Sequence, residues 1–315
     1  TCDAVSYAVF KAKAKIIYVD INNDLSMNDD DVLSAINPST KAIIMQNSFG
    51  RLGLRLETIK KIKNLGILLI EDCSLSWGSK NDEYSHGEFG DFSIWSLEVS
   101  KTITIGWGGI AKINNIDKIA SFESRYQQLG GITLISDARR IFQLWFSLLM
   151  TKVKIPGAIL IWYGLYGLKI FRVSNNYKNT NTEKKQKMGK ISSLLYLYLI
   201  PYLEDIFDLT NKNYLNLLSV AKKNGINLLH DDIKGEYIVS PRFPLLIEKC
   251  FFDQVYEKAQ NLDLEIGRWF DQVPPILEIG EVLVFSCDNA KRISGSIINL
   301  PCHWNLKEKE MEKIK

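Results

Sequence analysis

The sequence predicts an α/β fold: a mostly parallel sheet with helices on both faces, joined to a smaller C-terminal α+β unit. Two patterns carry this expectation. Over residues 1–128, short apolar runs of strand length alternate with amphipathic helical stretches, and such alternation builds parallel sheets through crossover helices. Several of the apolar runs also end on polar residues, Asp20, Asn47 and Asp72. Open sheets of this kind gather ligands outside the carboxyl ends of their strands.

The elements follow in order. Residues 4–13 space Val5, Ala8, Val9 and Ala12 at helical intervals. Residues 16–21 form a short apolar run closing on Asp20, read as a buried strand. Asn28 is a suitable helix cap, and Asp29, Asp30 and Asp31 place negative charge in the first turn. Pro38 ends that helix. Residues 41–45 are a strand, 56–64 an amphipathic helix with Gly66 past its end, and 67–70 another buried strand. Residues 92–97 and 109–113 are strand-like, and 116–128 helical before Gly130-Gly131. From Arg140 the chain turns strongly apolar. Its runs stop short of the ~18 residues of a membrane span, but Lys152, Lys154, Lys169 and Arg172 flank them. A buried excursion and a peripheral membrane contact through 141–172 both fit. Residues 174–190 are polar and basic, an exposed loop. Residues 191–209 read as one long apolar helix for core or dimer packing, and 214–223 as the next helix. Residues 237–247, 252–260, 265–269 and 281–286 complete an α+β pattern. The division is therefore 1–128 for the α/β unit, 129–190 for a variable excursion and basic loop, and 191–315 for the smaller unit.

Composition sets limits. The 315 residues suffice for a large core, and 46% apolar with 24% charged is ordinary for a globular protein. A net charge of +3, without basic residues interleaved with aromatics, argues against nucleic acid as a partner. Cys2, Cys73, Cys250, Cys287 and Cys302 are scattered and make no CxxC pair. Neither a disulfide framework nor a metal centre is indicated, and a reducing cytoplasm fits. The chain opens TCDAVSYAVF, inside a helical pattern, which suggests a missing N-terminal segment.

The chemistry concentrates in LLIEDCS (68–74) and GDFSIWSLEVSKTITIGWGG (90–109). The first ends an apolar strand on Glu71 and Asp72. The second sets Lys101 between a strand-like run and a glycine-rich turn, with Ser96, Ser100 and Thr102 nearby. A lysine and an aspartate brought to one end of an α/β sheet meet the minimum needs of a pyridoxal 5′-phosphate (PLP) enzyme. Such enzymes hold the cofactor as a Schiff base on lysine and use it as an electron sink. A carboxylate keeps the pyridine nitrogen protonated, and a hydroxyl with backbone N–H groups can hold the phosphate.

EDCSLSWGS, FGDFSIWS and SKTITIGWGGIAKINN together resemble the DegT/DnrJ/EryC1/StrS family of nucleotide-sugar aminotransferases. The likeness extends upstream over AKIIYVDINNDLSMNDDDVLSAINPSTKAIIMQNSFG and, near the end, over IINLPCHWNLKEKEMEKI. The resemblance implies an aspartate-aminotransferase-like (type I PLP) fold. It puts Lys101 at the Schiff-base position, Asp72 at the pyridine nitrogen and Ser96 at the phosphate. Gly106, Gly108 and Gly109 match the glycines after the lysine. It further implies a nucleotide-linked keto sugar as substrate, an amino acid such as glutamate as donor, a homodimer, and a role in surface-glycan or polysaccharide synthesis.

The sequence departs from the family at four places. Leu75 stands where a glutamine or histidine follows the aspartate, and Glu98-Val99 replaces a His/Tyr-Pro pair. Lys185-Gln186-Lys187 replaces an Asn-x-Arg that reaches the partner subunit's cofactor, and the ring-stacking aromatic falls near Cys2. Three alternatives stay open. One is a related sugar dehydratase, against which Lys101 argues because those enzymes carry histidine there. Another is a non-catalytic homologue binding a sugar nucleotide or protein. The last is a membrane-docked binding module.

Overall fold

The computed structural model describes residues 1–153, 186–226, 228–229, 235–270 and 282–314. The α/β part contains helices α1 (Asp3–Lys11), α2 (Asp29–Ala35), α3 (Leu56–Asn64) and α4 (Ile116–Gln127). Its strands are β1 (Ile16–Tyr18), β2 (Ala42–Gln46), β3 (Leu68–Asp72), β4 (Lys80–Asn81), β5 (Phe92–Ser96) and β6 (Gly109–Ile113). Next come α5 (Leu134–Val153), α6 (Lys190–Leu199) and α7 (Leu203–Lys223). The remainder holds β7 (Glu236–Tyr237), β8 (Arg242–Leu246), α8 (Phe252–Asn261), β9 (Val282–Val284), α9 (Asp288–Ser294), β10 (Ile297–Pro301) and α10 (Glu308–Ile314).

The central sheet has the order β2-β3-β5-β6, with β2, β3 and β5 parallel and β6 antiparallel. Apolar Ile43, Met45 and Leu69 pack beside Val32 of α2 and Ile59 and Ile62 of α3. Met45, Leu69 and Ile62 are wholly buried. The helix starts obey capping chemistry. The Oδ1 of Asn28 accepts from the backbone N–H of Asp31 (3.0 Å), and that of Asn115 from Asp117 (3.1 Å). A second core joins Tyr214, Leu217 and Leu218 of α7 to Phe243, Leu245, Ile298 and Met311, beneath antiparallel β8 and β10.

Three expectations are corrected. The 191–209 helix does not run through: α6 stops at a 3₁₀ turn (Ile200–Tyr202), and α7 is continuous from Leu203 to Lys223. Pro201 is the reason, since proline lacks the N–H an interior helical position must donate. Residues 16–21 yield only a three-residue strand, and β1 pairs in parallel with β9 rather than joining the central sheet. Asp20, just past β1, then accepts from the backbone N–H groups of Asn289 and Ala290, both at 2.8 Å, at the start of α9. The stretch 265–269 forms a single bridge, Gly267 to Asn299, not a strand.

The apolar excursion is visible in α5. Ile135, Phe142, Trp145 and Leu148 lie on its exposed side, beside Leu194, Leu197 and Tyr198 exposed on the neighbouring α6. Most of the 141–172 segment falls outside the described residues. Among the described residues, no helix is long and apolar enough to cross a membrane.

His86 lies between β4 and β5, stacked on Tyr84 at 6.2 Å. Its Nδ1 is buried without a hydrogen-bond partner. Burial, with the Arg51 charge behind it, holds its pKa down to about 4. A depressed histidine contributes stability that is complete above its unfolded pKa of about 6.5 and lost as pH falls towards 4. We expect urea unfolding to show a loss of roughly 2 kcal/mol from this group between pH 6.5 and 4. In His86→Phe, which keeps the stacking, that part of the loss disappears; an unchanged pH profile would refute the assignment.

Candidate functional site

Two neighbouring carboxylates end β3, and strand geometry sends them to opposite faces. Glu71 turns into the protein and is fully buried. It accepts from Asn47 Nδ2 (2.8 Å) and from the backbone N–H groups of Gly87 (2.7 Å), Phe89 (2.9 Å) and Gly90 (3.0 Å). Its charge is consumed in building the turn that leads into β5. Asp72 faces the other way and is also buried. Its Oδ2 accepts from Gln46 Nε2 (3.2 Å) and its Oδ1 from the N–H of Ser74 (3.0 Å). A carboxylate has about four acceptor positions, so Asp72 keeps capacity for a further donor.

Lys101 belongs to the loop between β5 and β6, which closes on itself. The N–H of Leu97 donates to Gly108 O (3.0 Å), and that of Ile105 to Leu97 O (3.1 Å). Buried Leu97, Ile103 and Ile105 fasten the loop to Ile206 of α7. Ser100, immediately before the lysine, takes a left-handed backbone (φ +76°), as do Gly106 and Gly108. Such a conformation costs a non-glycine residue about 1 kcal/mol or more and persists only where surroundings impose it. The Nζ of Lys101 lies 5.4 Å from the centroid of the Trp269 ring. Burial pushes the lysine pKa down, and the nearby Asp72, Cys2 and Glu98 pull against it. Asp72 is thus near enough to Lys101 for its charge to be felt at the amine.

Ser96 ends β5. Because Asp72 pairs with Ile94, Ser96 lies two residues further towards the same end of the sheet. Its Oγ accepts from the N–H of Glu98 (3.3 Å). Thr102 is buried in the same loop. Leu75 is buried in an apolar cluster with Phe49, Ile293 and Ile297, against which Trp269 and Phe270 pack. Lys185 is outside the described residues. Gln186 bridges to Gly130, and the Nζ of Lys187 donates to Gln127 Oε1 (2.8 Å) while lying over the Tyr126 ring.

Sequence reasoning missed Gln46 and Trp269. Gln46 could have been found from its place two residues past Ile44 at the end of β2. In the GRWFD stretch the Arg268 guanidinium covers the Phe252 ring at 3.8 Å. Its neighbour Trp269 is the residue that meets Lys101.

Residues 1–133 match the model of the DegT/DnrJ/EryC1/StrS aminotransferase family. That part of the chain is similar to this family. The chain is 34% identical over 110 residues to an L-glutamine:2-deoxy-scyllo-inosose aminotransferase of Streptomyces kanamyceticus. It is 34% identical over 100 residues to the GDP-perosamine synthase of Escherichia coli O157:H7. These matches take in 34% and 31% of the chain but only 26% and 28% of the relatives' lengths. Solved structures extend the likeness to the whole chain. A DegT DnrJ EryC1 StrS aminotransferase from Brucella abortus superposes with a TM-score of 0.74 at 18% identity, covering 100% of this chain and 75% of that one. An E. coli GDP-4-keto-6-deoxy-D-mannose-3-dehydratase with bound hydrated PLP gives 0.68 at 17% identity, covering 98% and 75%. At these identities the likeness establishes the fold, which is the type I fold of the sugar aminotransferases.

The two carboxylates should separate in their effects on stability. Glu71→Gln removes the charge from four hydrogen bonds and turns one acceptor into a donor facing donors, so urea unfolding should register a loss of roughly 3 kcal/mol. Asp72→Asn keeps an acceptor oxygen for the Ser74 N–H and should change stability by less than about 1 kcal/mol. Equal losses from the two variants would contradict this division.

Proposed function

We propose that the chain is a PLP-dependent aminotransferase that moves an amino group from an amino acid, glutamate, to a nucleotide-linked keto sugar. One observation carries the reading: a half-buried lysine amine on a strained, self-closed loop shares its surroundings with a buried carboxylate that retains acceptor capacity.

The residues fit the cofactor. An amine whose pKa is depressed by desolvation reaches its neutral, nucleophilic form more readily, so Lys101 can anchor an aldehyde. The Asp72 carboxylate can hold a ring nitrogen protonated. Ser96 and the backbone N–H groups of the 97–108 loop can receive a phosphate. When bound, PLP supplies the electron sink for a carbanion. The chain's own task is then to carry protons and to exclude water. Lys101 Nζ would take the proton from the donor Cα as general base and deliver it as general acid to the cofactor carbon that keeps the amino group, and in the second half-reaction would move a proton from that carbon to the keto-sugar carbon. Amine leaves one substrate before the other binds, which gives ping-pong kinetics.

The finer points of the reading are a homodimer in the cytoplasm and a product destined for a surface glycan or polysaccharide. The exposed apolar sides of α5 and α6 supply a surface for a second copy or for peripheral membrane contact. A second reading, a non-catalytic homologue that binds a sugar nucleotide or protein, is favoured by Leu75, buried and apolar beside Asp72, and by Lys187, already engaged with Gln127 and Tyr126.

Reductive trapping tests the proposal. The chain is mixed with PLP, treated with borohydride, digested and mapped by mass spectrometry. A label confined to Lys101 is the expected result, and Lys101→Ala should abolish it. Glutamate-dependent amination of keto-sugar nucleotides should fall by at least roughly 10³-fold in Lys101→Ala. Label scattered over surface lysines would favour the non-catalytic reading.

A further inference from the structure

Two cations face one indole. Lys101 Nζ and Arg242 Cζ each lie 5.4 Å from the centroid of the Trp269 ring. Trp269 comes from the C-terminal half of the chain, yet its ring sits at a lysine of the β5–β6 loop. Its position is imposed from two sides. The ring packs into the cluster of Phe49, Leu75 and Ile297, with Phe270 beside it at 6.4 Å. Its backbone is gripped by Asn299 of β10, which has no solvent exposure. The Trp269 N–H donates to Asn299 Oδ1 (2.6 Å), and its carbonyl accepts from Asn299 Nδ2 (3.1 Å). Backbone bonds between Gly267 and Asn299, 2.8 Å in both directions, hold the same stretch. A buried amide that commits both its donor and its acceptor to one residue's backbone is an orienting device.

What the device orients follows from the lysine. Any group joined to Nζ begins near the indole and can lie along it. Flat conjugated rings gain from such a surface through dispersion and quadrupole contacts. We infer that Trp269 is the aromatic wall of the Lys101 site, the surface against which a planar ring carried on Nζ packs, and that Asn299 is its positioning residue. The inference rests on the reading of Lys101 as the cofactor lysine. It accounts for Cys2, which supplies no ring where the family resemblance places one. It accounts equally for Leu75, an apolar neighbour that suits the indole better than an amide would.

The test follows PLP binding without requiring catalysis. The unaltered chain and the variants W269F, W269A and N299A are titrated with PLP, and two quantities are read: borohydride label at Lys101 by mass spectrometry, and quenching of tryptophan emission. The chain has seven tryptophans, so the share belonging to Trp269 is obtained by comparison with W269F. We expect W269F to keep PLP half-saturation within about twofold while losing the largest single share of the quench. W269A and N299A should bind PLP roughly 3- to 10-fold more weakly. Unchanged half-saturation in W269A and N299A, with Lys101 still selectively labelled, overturns the inference and leaves the aminotransferase reading intact. Lack of selective labelling in the unaltered chain overturns both. If circular dichroism finds W269A unfolded, W269F decides: quenching as complete as in the unaltered chain refutes the wall.

Discussion

The alternation of side chains along a strand governs this site. Glu71 and Asp72 are adjacent, both acidic and both buried, a pairing that would be ruinous if they shared an environment. The pleat separates them. One carboxylate is sunk among four donors and becomes structural; the other is carried to the opposite face with acceptor positions to spare. A shift of one residue in the β2–β3 register would exchange their roles. The apolar residues on either side, Met45 and Leu69, hold that register through their burial against α2 and α3. The packing of the sheet and the chemistry of the site are in this sense one constraint.

The lysine loop is built on the same logic of local consistency. Hydrogen bonds between Leu97, Ile105 and Gly108 close it without help from a regular element. The isoleucines at 103 and 105 secure it to α7, and glycines occupy two of the three left-handed positions. Ser100 occupies the third. It is the one departure from easy backbone chemistry in the loop, and it directly precedes the lysine. Strain of this kind marks places where geometry serves something besides stability.

Much of this was legible beforehand, for identifiable reasons. The alternation of apolar runs and helical patterns determines β2, β3, α2 and α3 because each is short, local and capped by residues with specific chemistry, such as Asn28. Lys101 and Asp72 drew notice from their places in a glycine-rich turn and at a strand end, and the family resemblance supplied the roles expected of them and of Ser96. Trp269 was not, because its place beside Lys101 depends on Asn299 and on the pairing of Gly267, which are contacts across the fold with no local signature. The same holds for β1, whose partner is a strand from near the other end of the chain. The break at Pro201 was present in the sequence but outweighed in the reading by the strong apolar pattern around it.

The pairing of β1 with β9, locked by Asp20 at the start of α9, has a consequence for biosynthesis. A ribosome releases β1 well before β9, so β1 waits unpaired while the residues between them emerge. During that interval Ile16, Ile17 and Tyr18 present an open strand edge, the kind of surface on which nascent chains misassociate. Emergence of β9, rather than collapse of the segment around β1, is therefore the event that closes this edge, and folding in the cell should depend on holding it apart from others until then.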